Sequence, residues 1–99
     1  MSRYQAIQDR VSPPSPAEDY NRAVDAEAER RLIEAKGWLE KALQKDPKYA
    51  RAHYLMGRVE AGLGNYAATK RCFLKYLELE PTGDKAGEIK ELLKDPNLK

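Results

Sequence analysis

Residues 50–83 read ARAHYLMGRVEAGLGNYAATKRCFLKYLELEPTG. From Tyr49 to Gly62, the apolar side chains of Ala52, Leu55, Met56 and Val59 recur at helical spacing, which places them on one face. Gly62-Leu63-Gly64-Asn65 follows, and glycine and asparagine tolerate the positive φ that a tight turn demands. The helical pattern restarts over Tyr66 to Glu80, with Phe73, Leu74, Leu77 and Leu79 among its apolar residues. Pro81 then ends it, because proline lacks the N–H that a continuing helix needs. The stretch predicts two helices folded back on one another.

Downstream, Thr82-Gly83 resets the chain, and Asp84 to Lys94 predicts a short last helix carrying Ile89, Leu92 and Leu93, closed by Asp95-Pro96. Residues 95–99 read as a C-terminal tail. Upstream, residues 1–16 read as an extended tail, since Ser12-Pro13-Pro14-Ser15-Pro16 disfavours helix. Pro13 and Pro16 have the spacing of a ligand for an aromatic groove, although such segments more often serve as stiff lead-ins. Ser15, Pro16 and Glu18 then form a helix-start signal. From Ala17 to Lys45 no proline intervenes, and Tyr20, Val24, Ala28, Leu32, Ala35, Leu39, Ala42 and Leu43 form a helical stripe that Asp46-Pro47 stops. Periodicity leaves open whether this is one long helix or two joined near Glu29-Arg30-Arg31.

Laid on itself with an offset of 34, the chain repeats. Tyr20 meets Tyr54, Ala23 meets Gly57, Leu32 meets Tyr66, Leu39 meets Phe73, Leu43 meets Leu77, and Pro47 meets Pro81. Ala52, Tyr54, Gly57, Gly64-Asn65-Tyr66, Phe73, Leu77 and Pro81 stand where a tetratricopeptide repeat carries its signature residues, and residues 50–83 closely resemble that family. Residues 17–49 resemble a degenerate copy, matched through Leu32, Ala35, Leu39, Ala42, Leu43 and Pro47, with Glu29-Arg30 in place of the expected turn. Residues 84–94 resemble the capping helix that ends such arrays. The departures are His53 where the family prefers a large aromatic residue, and Thr69 and Tyr76 at positions it keeps small.

The resemblance implies an all-α fold of antiparallel helix-turn-helix repeats over residues 17–94, a short α-solenoid. It also implies a concave face lined by the first helix of each repeat, with Arg51, Tyr54, Arg58 and Ala61 facing it. Their spacing of three to four independently puts them on one helical face. Tyr20 and Val24 join them if the first segment forms a proper hairpin. Two guanidinium groups flanking a phenol suit a carboxylate, an acidic side chain or a phosphate on a protein or peptide partner. The alternative is that Arg51 and Arg58 are merely solvated and Tyr54 packs on its neighbour. Family members that clamp chaperone C-termini use Lys, Asn and Arg residues at places held here by Arg51, Tyr54, Leu55 and Arg58, so that ligand is not expected.

Composition narrows the classes further. Apolar residues make up 41% of the chain and charged residues 34%, with the two signs interleaved. A formal net charge of +2 is too small and too dispersed for a dense nucleic-acid face, which leaves a weakly basic nucleic-acid or membrane-surface protein as the alternative function. No apolar run approaches the ~18 residues of a membrane span. One cysteine makes no internal disulfide, and the N-terminus lacks the apolar core of a secretory signal, so the expectation is a cytoplasmic protein.

His53 and Cys72 are each the single representative of their type, which gives no metal cluster with several such ligands. A catalytic Cys72–His53 pair is far less expected than a packing histidine and a small interior thiol. Glu27, Glu34 and Glu40 with Arg30, Arg31, Lys36 and Lys41 read as a solvated charged face. No cofactor motif is present, and the expectation is a binding protein and not an enzyme. Two repeats and a cap are also short of the about three units that stabilise an array. Self-association through Leu32, Trp38 and Leu39, or incorporation into a larger complex, would relieve that shortage.

Overall fold

The computed structural model describes residues 15–94. The tails, including Pro13 and Pro14 and the segment 95–99, lie outside the described residues. Five helices and no strand occur within them: α1 (Pro16–Ala28), α2 (Leu32–Lys45), α3 (Ala50–Gly62), α4 (Tyr66–Leu79) and α5 (Ala86–Leu92). Helix α1 packs along α2 and α3 along α4, α2 joins the two hairpins by lying against α3, and α5 rests on α4. The fold is an all-α succession of packed helical hairpins.

The stripe from Ala17 to Lys45 is thus two helices, and the break between them has a definite geometry. Arg30 sits at φ 64°, in the left-handed region. The Arg31 N–H donates to the Ala26 carbonyl at 2.8 Å and the Arg30 N–H to the Glu27 carbonyl at 3.0 Å. These two bonds are a Schellman C-terminus. Helix α3 ends in the same way: Gly64 lies at φ 84°, Asn65 N–H donates to the Glu60 carbonyl at 2.8 Å, and Gly64 N–H donates to the Ala61 carbonyl at 3.1 Å. Arg30 and Gly64 are separated by the same 34-residue offset as the other paired positions. The first hairpin therefore turns as the second does, with an arginine where the second has glycine.

The core divides into two clusters of different character. Ala23, Ala26, Ala35, Leu39, Ala42, Ala52, Leu55, Met56 and Val59 form one, rich in small side chains. Ala50, Tyr54, Phe73, Tyr76, Ala86 and Ile89 form the other, which is aromatic. The paired positions explain the difference. A Cβ on Gly57 would lie 2.4 Å from Phe73 Cε1, so a phenyl ring at 73 requires glycine at 57. In the first hairpin the smaller Leu39 occupies the ring's place and Ala23 the glycine's, and both are fully buried.

The two bulky or polar departures in α4 are accommodated by hydrogen bonds. Thr69 is buried and its hydroxyl donates to the Gly57 carbonyl at 3.1 Å. Tyr76 lies under the connection to α5, where its hydroxyl donates to Asp84 Oδ1 at 3.3 Å and accepts from the Lys85 N–H at 3.2 Å. Its bulk fastens α5 to the second hairpin.

Two buried carboxylates link elements further. Asp19 pairs with Lys45 at 2.6 Å across the first hairpin. Glu60 accepts from Lys36 at 3.3 Å and from Asn65 at 2.9 Å, joining α2, α3 and the turn before α4.

Of Leu32, Trp38 and Leu39, expected on one open side, Leu39 does not lie there. Leu39 is fully buried among its own chain's helices, and Leu32 packs on Gly62, where a Cβ would lie 2.6 Å from Leu32 Cδ1. Leu39 is therefore closed to another chain, while Leu32 is only partly buried. Trp38 is half-buried beside the same core cluster, with the Arg22 guanidinium 4.9 Å and the Lys41 ammonium 4.7 Å from its ring centroid.

Candidate functional site

Helices α1, α3 and α5 contribute one continuous groove. Residues spaced by three or four share a helical face, and the structure brings three such rows together. Tyr20, Val24 and Glu27 come from α1, Arg51, Tyr54, Arg58 and Ala61 from α3, and Glu88 and Leu92 from α5. Arg51, Tyr54, Arg58, Ala61, Tyr20 and Val24, the six residues that the sequence placed on this face, all line the groove. It holds two recesses, of about 260 Å³ and about 480 Å³. Glu27 and Arg58 line both and form the divider between them, with Arg58 Nη2 3.1 Å from Glu27 Oε2.

The floor of the first recess is aromatic. The Tyr54 ring stacks on Phe73 with centroids 5.9 Å apart and tilts against Tyr76 at 6.0 Å. Its hydroxyl donates to Glu88 Oε2 at 2.6 Å. Burial pushes the Tyr54 phenol above its ordinary value, and the hydrogen bond to the Glu88 carboxylate adds to that because it holds the proton in place. Burial raises Tyr20 as well, against the opposing pull of nearby Arg51. Tyr20 stands edge-on to Tyr49, with centroids 5.5 Å apart.

Charge is distributed unevenly along the groove. Arg58 is neutralised by Glu27, whereas among the described residues neither Arg51 nor Lys85 forms an ion pair. The Lys85 ammonium lies 5.3 Å from the Tyr54 ring centroid, within cation–π range. Asp84 shares this end and accepts from Tyr76. The second recess mixes apolar and charged groups: Ala61, Tyr66, Phe73 and Leu92 line it together with Arg30 and Glu88, and both Tyr66 and Leu92 are exposed.

The geometry refines the roles expected from sequence. Tyr54 is only 5% exposed, so it is a floor residue offering an edge and not a free stacking platform. Arg58 bridges helices, while Arg51 is exposed and forms no ion pair among the described residues. Glu27 does not belong to a solvated face, as the charge pattern suggested, but is drawn inward by Arg58, and Lys36 is likewise drawn to buried Glu60.

Sequence reasoning missed Glu27, Asp84, Lys85 and Glu88 as groove residues. For Glu88 a signal existed, because applying the 34-residue offset once more carries Tyr54 onto it. For Lys85 and Asp84 none did, since they reach the groove from the connection before α5.

Elsewhere, His53 Nε2 lies 2.8 Å from the Pro47 carbonyl oxygen, to which its N–H donates. Cys72 is half-buried, and burial together with the Glu60 carboxylate pushes its thiol up, away from the reactive thiolate. Among the described residues no group of three His, Cys, Asp or Glu side chains is arranged to hold a metal ion, and no helix is long and apolar enough to cross a membrane. No protein-family model matches the chain, and no curated protein matches it at a significant level of similarity.

Proposed function

We propose that this chain is a short tetratricopeptide-type interaction module that holds a segment of a partner protein in the groove across α1, α3 and α5. The observation that carries the reading is the convergence of Tyr20, Arg51, Tyr54, Arg58 and Ala61 on one groove. Helical spacing and the family's pattern both put Arg51, Tyr54, Arg58 and Ala61 on one face, and the hairpin of α1 and α2 adds Tyr20. The equivalent Schellman turns at Arg30 and Gly64, in register with the 34-residue offset, support treating the two hairpins as copies of one unit. A groove with an aromatic floor, a few polar groups and two recesses suits a side-chain-by-side-chain grip on a peptide. The role is non-catalytic in this reading, and a cytoplasmic setting accompanies it.

The alternative of a nucleic-acid or membrane surface receives less support from the charge arrangement. Among the described residues six basic side chains, Arg31, Lys36, Lys45, Arg58, Lys75 and Lys94, are engaged with acids, which breaks up a continuous cationic face.

Site-specific photocrosslinking tests the proposal. A photoreactive residue replaces Val24 or Ala61 in the groove, or exposed Gln44 on α2, which lines neither recess, and crosslinked peptides are identified by mass spectrometry in the producing cell. Defined partner segments crosslinked from Val24 and Ala61 but not from Gln44 are expected. Crosslinking from Gln44 alone, or equally from all three positions, would overturn the groove as the binding surface.

A further inference from the structure

The groove's own pairings say what is left over for a partner. In its middle, Arg58 is satisfied by Glu27 and the Tyr54 hydroxyl by Glu88. A ligand gains little there, since any polar bond it makes replaces one already present. At the first recess two cations, Arg51 and Lys85, face one carboxylate, Asp84, and that carboxylate already accepts from Tyr76. The surplus is positive. At the second recess exposed Tyr66 and Leu92 lie beside Ala61 and offer apolar surface, with the Arg30 side chain also lining the recess. Apolar side chains left in water beside a concave surface are the usual anchor points for a partner's apolar residue.

The two ends are a fixed distance apart. At about 1.5 Å of rise per residue, Arg51 and Ala61 are separated by about 15 Å along α3. An extended chain advances roughly 3.3 Å per residue and covers that span in about four to five residues.

We infer that the groove selects an extended peptide carrying an acidic residue that seats between Arg51 and Lys85 and a large apolar residue about four to five positions away that fills the recess at Ala61, Tyr66 and Leu92. This rests on the groove being the binding surface and adds the chemistry and spacing of the ligand. A carboxylate meeting both an exposed guanidinium and an ammonium gains charge-assisted hydrogen bonds without breaking an ion pair seen among the described residues. The Glu27–Arg58 divider leaves the intervening residues to cross over it by backbone and small side chains. Basic peptides are disfavoured at the first recess by the same two cations.

The test is a selection of phage-displayed random 12-residue peptides on the intact chain, followed by fluorescence anisotropy of the enriched sequences as free peptides. Groove dependence is measured with Val24→Trp, which places an indole in the first recess, and with Ala61→Trp in the second, each first checked for native helicity and melting. Peptides sharing an acidic and a large apolar residue at the stated spacing are expected. Replacing the acid by its amide should weaken binding about tenfold. In the Arg51→Gln/Lys85→Gln variant the same replacement should have little further effect, because the acid and the cations form one interaction.

Enriched peptides that lose binding to Val24→Trp or Ala61→Trp but carry no acid, or that bind the double variant as tightly as the parent, would overturn this inference while leaving the groove as the binding surface. A selection yielding no peptide that depends on either recess would overturn both.

Discussion

Gly57 and Phe73 behave as one choice made at two positions. Adding a methyl group at Gly57 drives a Cβ into the phenyl ring, so Gly57→Ala should cost roughly 1–3 kcal/mol through overpacking. Gly37 is the control: nothing approaches a Cβ there, so Gly37→Ala should stabilise the chain by about 0.5–1 kcal/mol through helix propensity. The first hairpin supplies the rescue, since Ala23 and Leu39 are the same pair in its other form. The Gly57→Ala/Phe73→Leu variant should therefore be less destabilised than the sum of its two single changes. Urea denaturation of the four proteins measures this, and strict additivity would show that the two sites do not share a contact.

At the scale of the element, the α1–α2 turn is the instructive case. A non-glycine residue in the left-handed region carries a penalty of about 1–2 kcal/mol, which Arg30 bears and Gly64 does not. Arg30→Gly should raise stability by up to about 1 kcal/mol after the added freedom of the unfolded glycine is deducted, and a thermal melt reads the difference.

The same residue explains what periodicity left undecided. The apolar stripe continues in register from α1 into α2, and no glycine or proline marks the break, so a local pattern alone fits one helix or two. The two helices of the second hairpin were legible because Gly62, Gly64 and Asn65 announce their turn. The site was legible to the same degree. Rows on a single helix, such as Arg51, Tyr54, Arg58 and Ala61, follow from spacing. Bonds between helices, such as Arg58 to Glu27 and Tyr54 to Glu88, depend on crossing geometry that spacing does not encode.

Over the whole molecule, buried phenols set an alkaline limit. Tyr20, Tyr54 and Tyr76 are all raised above the usual tyrosine value, in each case chiefly by burial. Their protonated forms are favoured by the folded state, so stability is unaffected below the unfolded value of about 10 and is lost as pH rises beyond it toward the folded values. The urea midpoint followed by circular dichroism should hold between pH 7 and pH 9 and fall above about pH 10. Tyr20→Phe should lessen that fall by removing one of the three groups. A midpoint that declines equally in the variant would assign the loss to other groups, lysines foremost.

Helix α5 has seven residues, too few to persist alone, and it is held by Ile89 and Ala86 in the aromatic cluster and by the Glu88 bond to the groove's central phenol. A guest that takes that phenol for itself must also loosen the helix. By thermodynamic reciprocity, a chain whose last helix is already weakened welcomes such a guest more tightly. Amide exchange along Ala86–Leu92 would then register the filling of a groove whose centre lies on another helix.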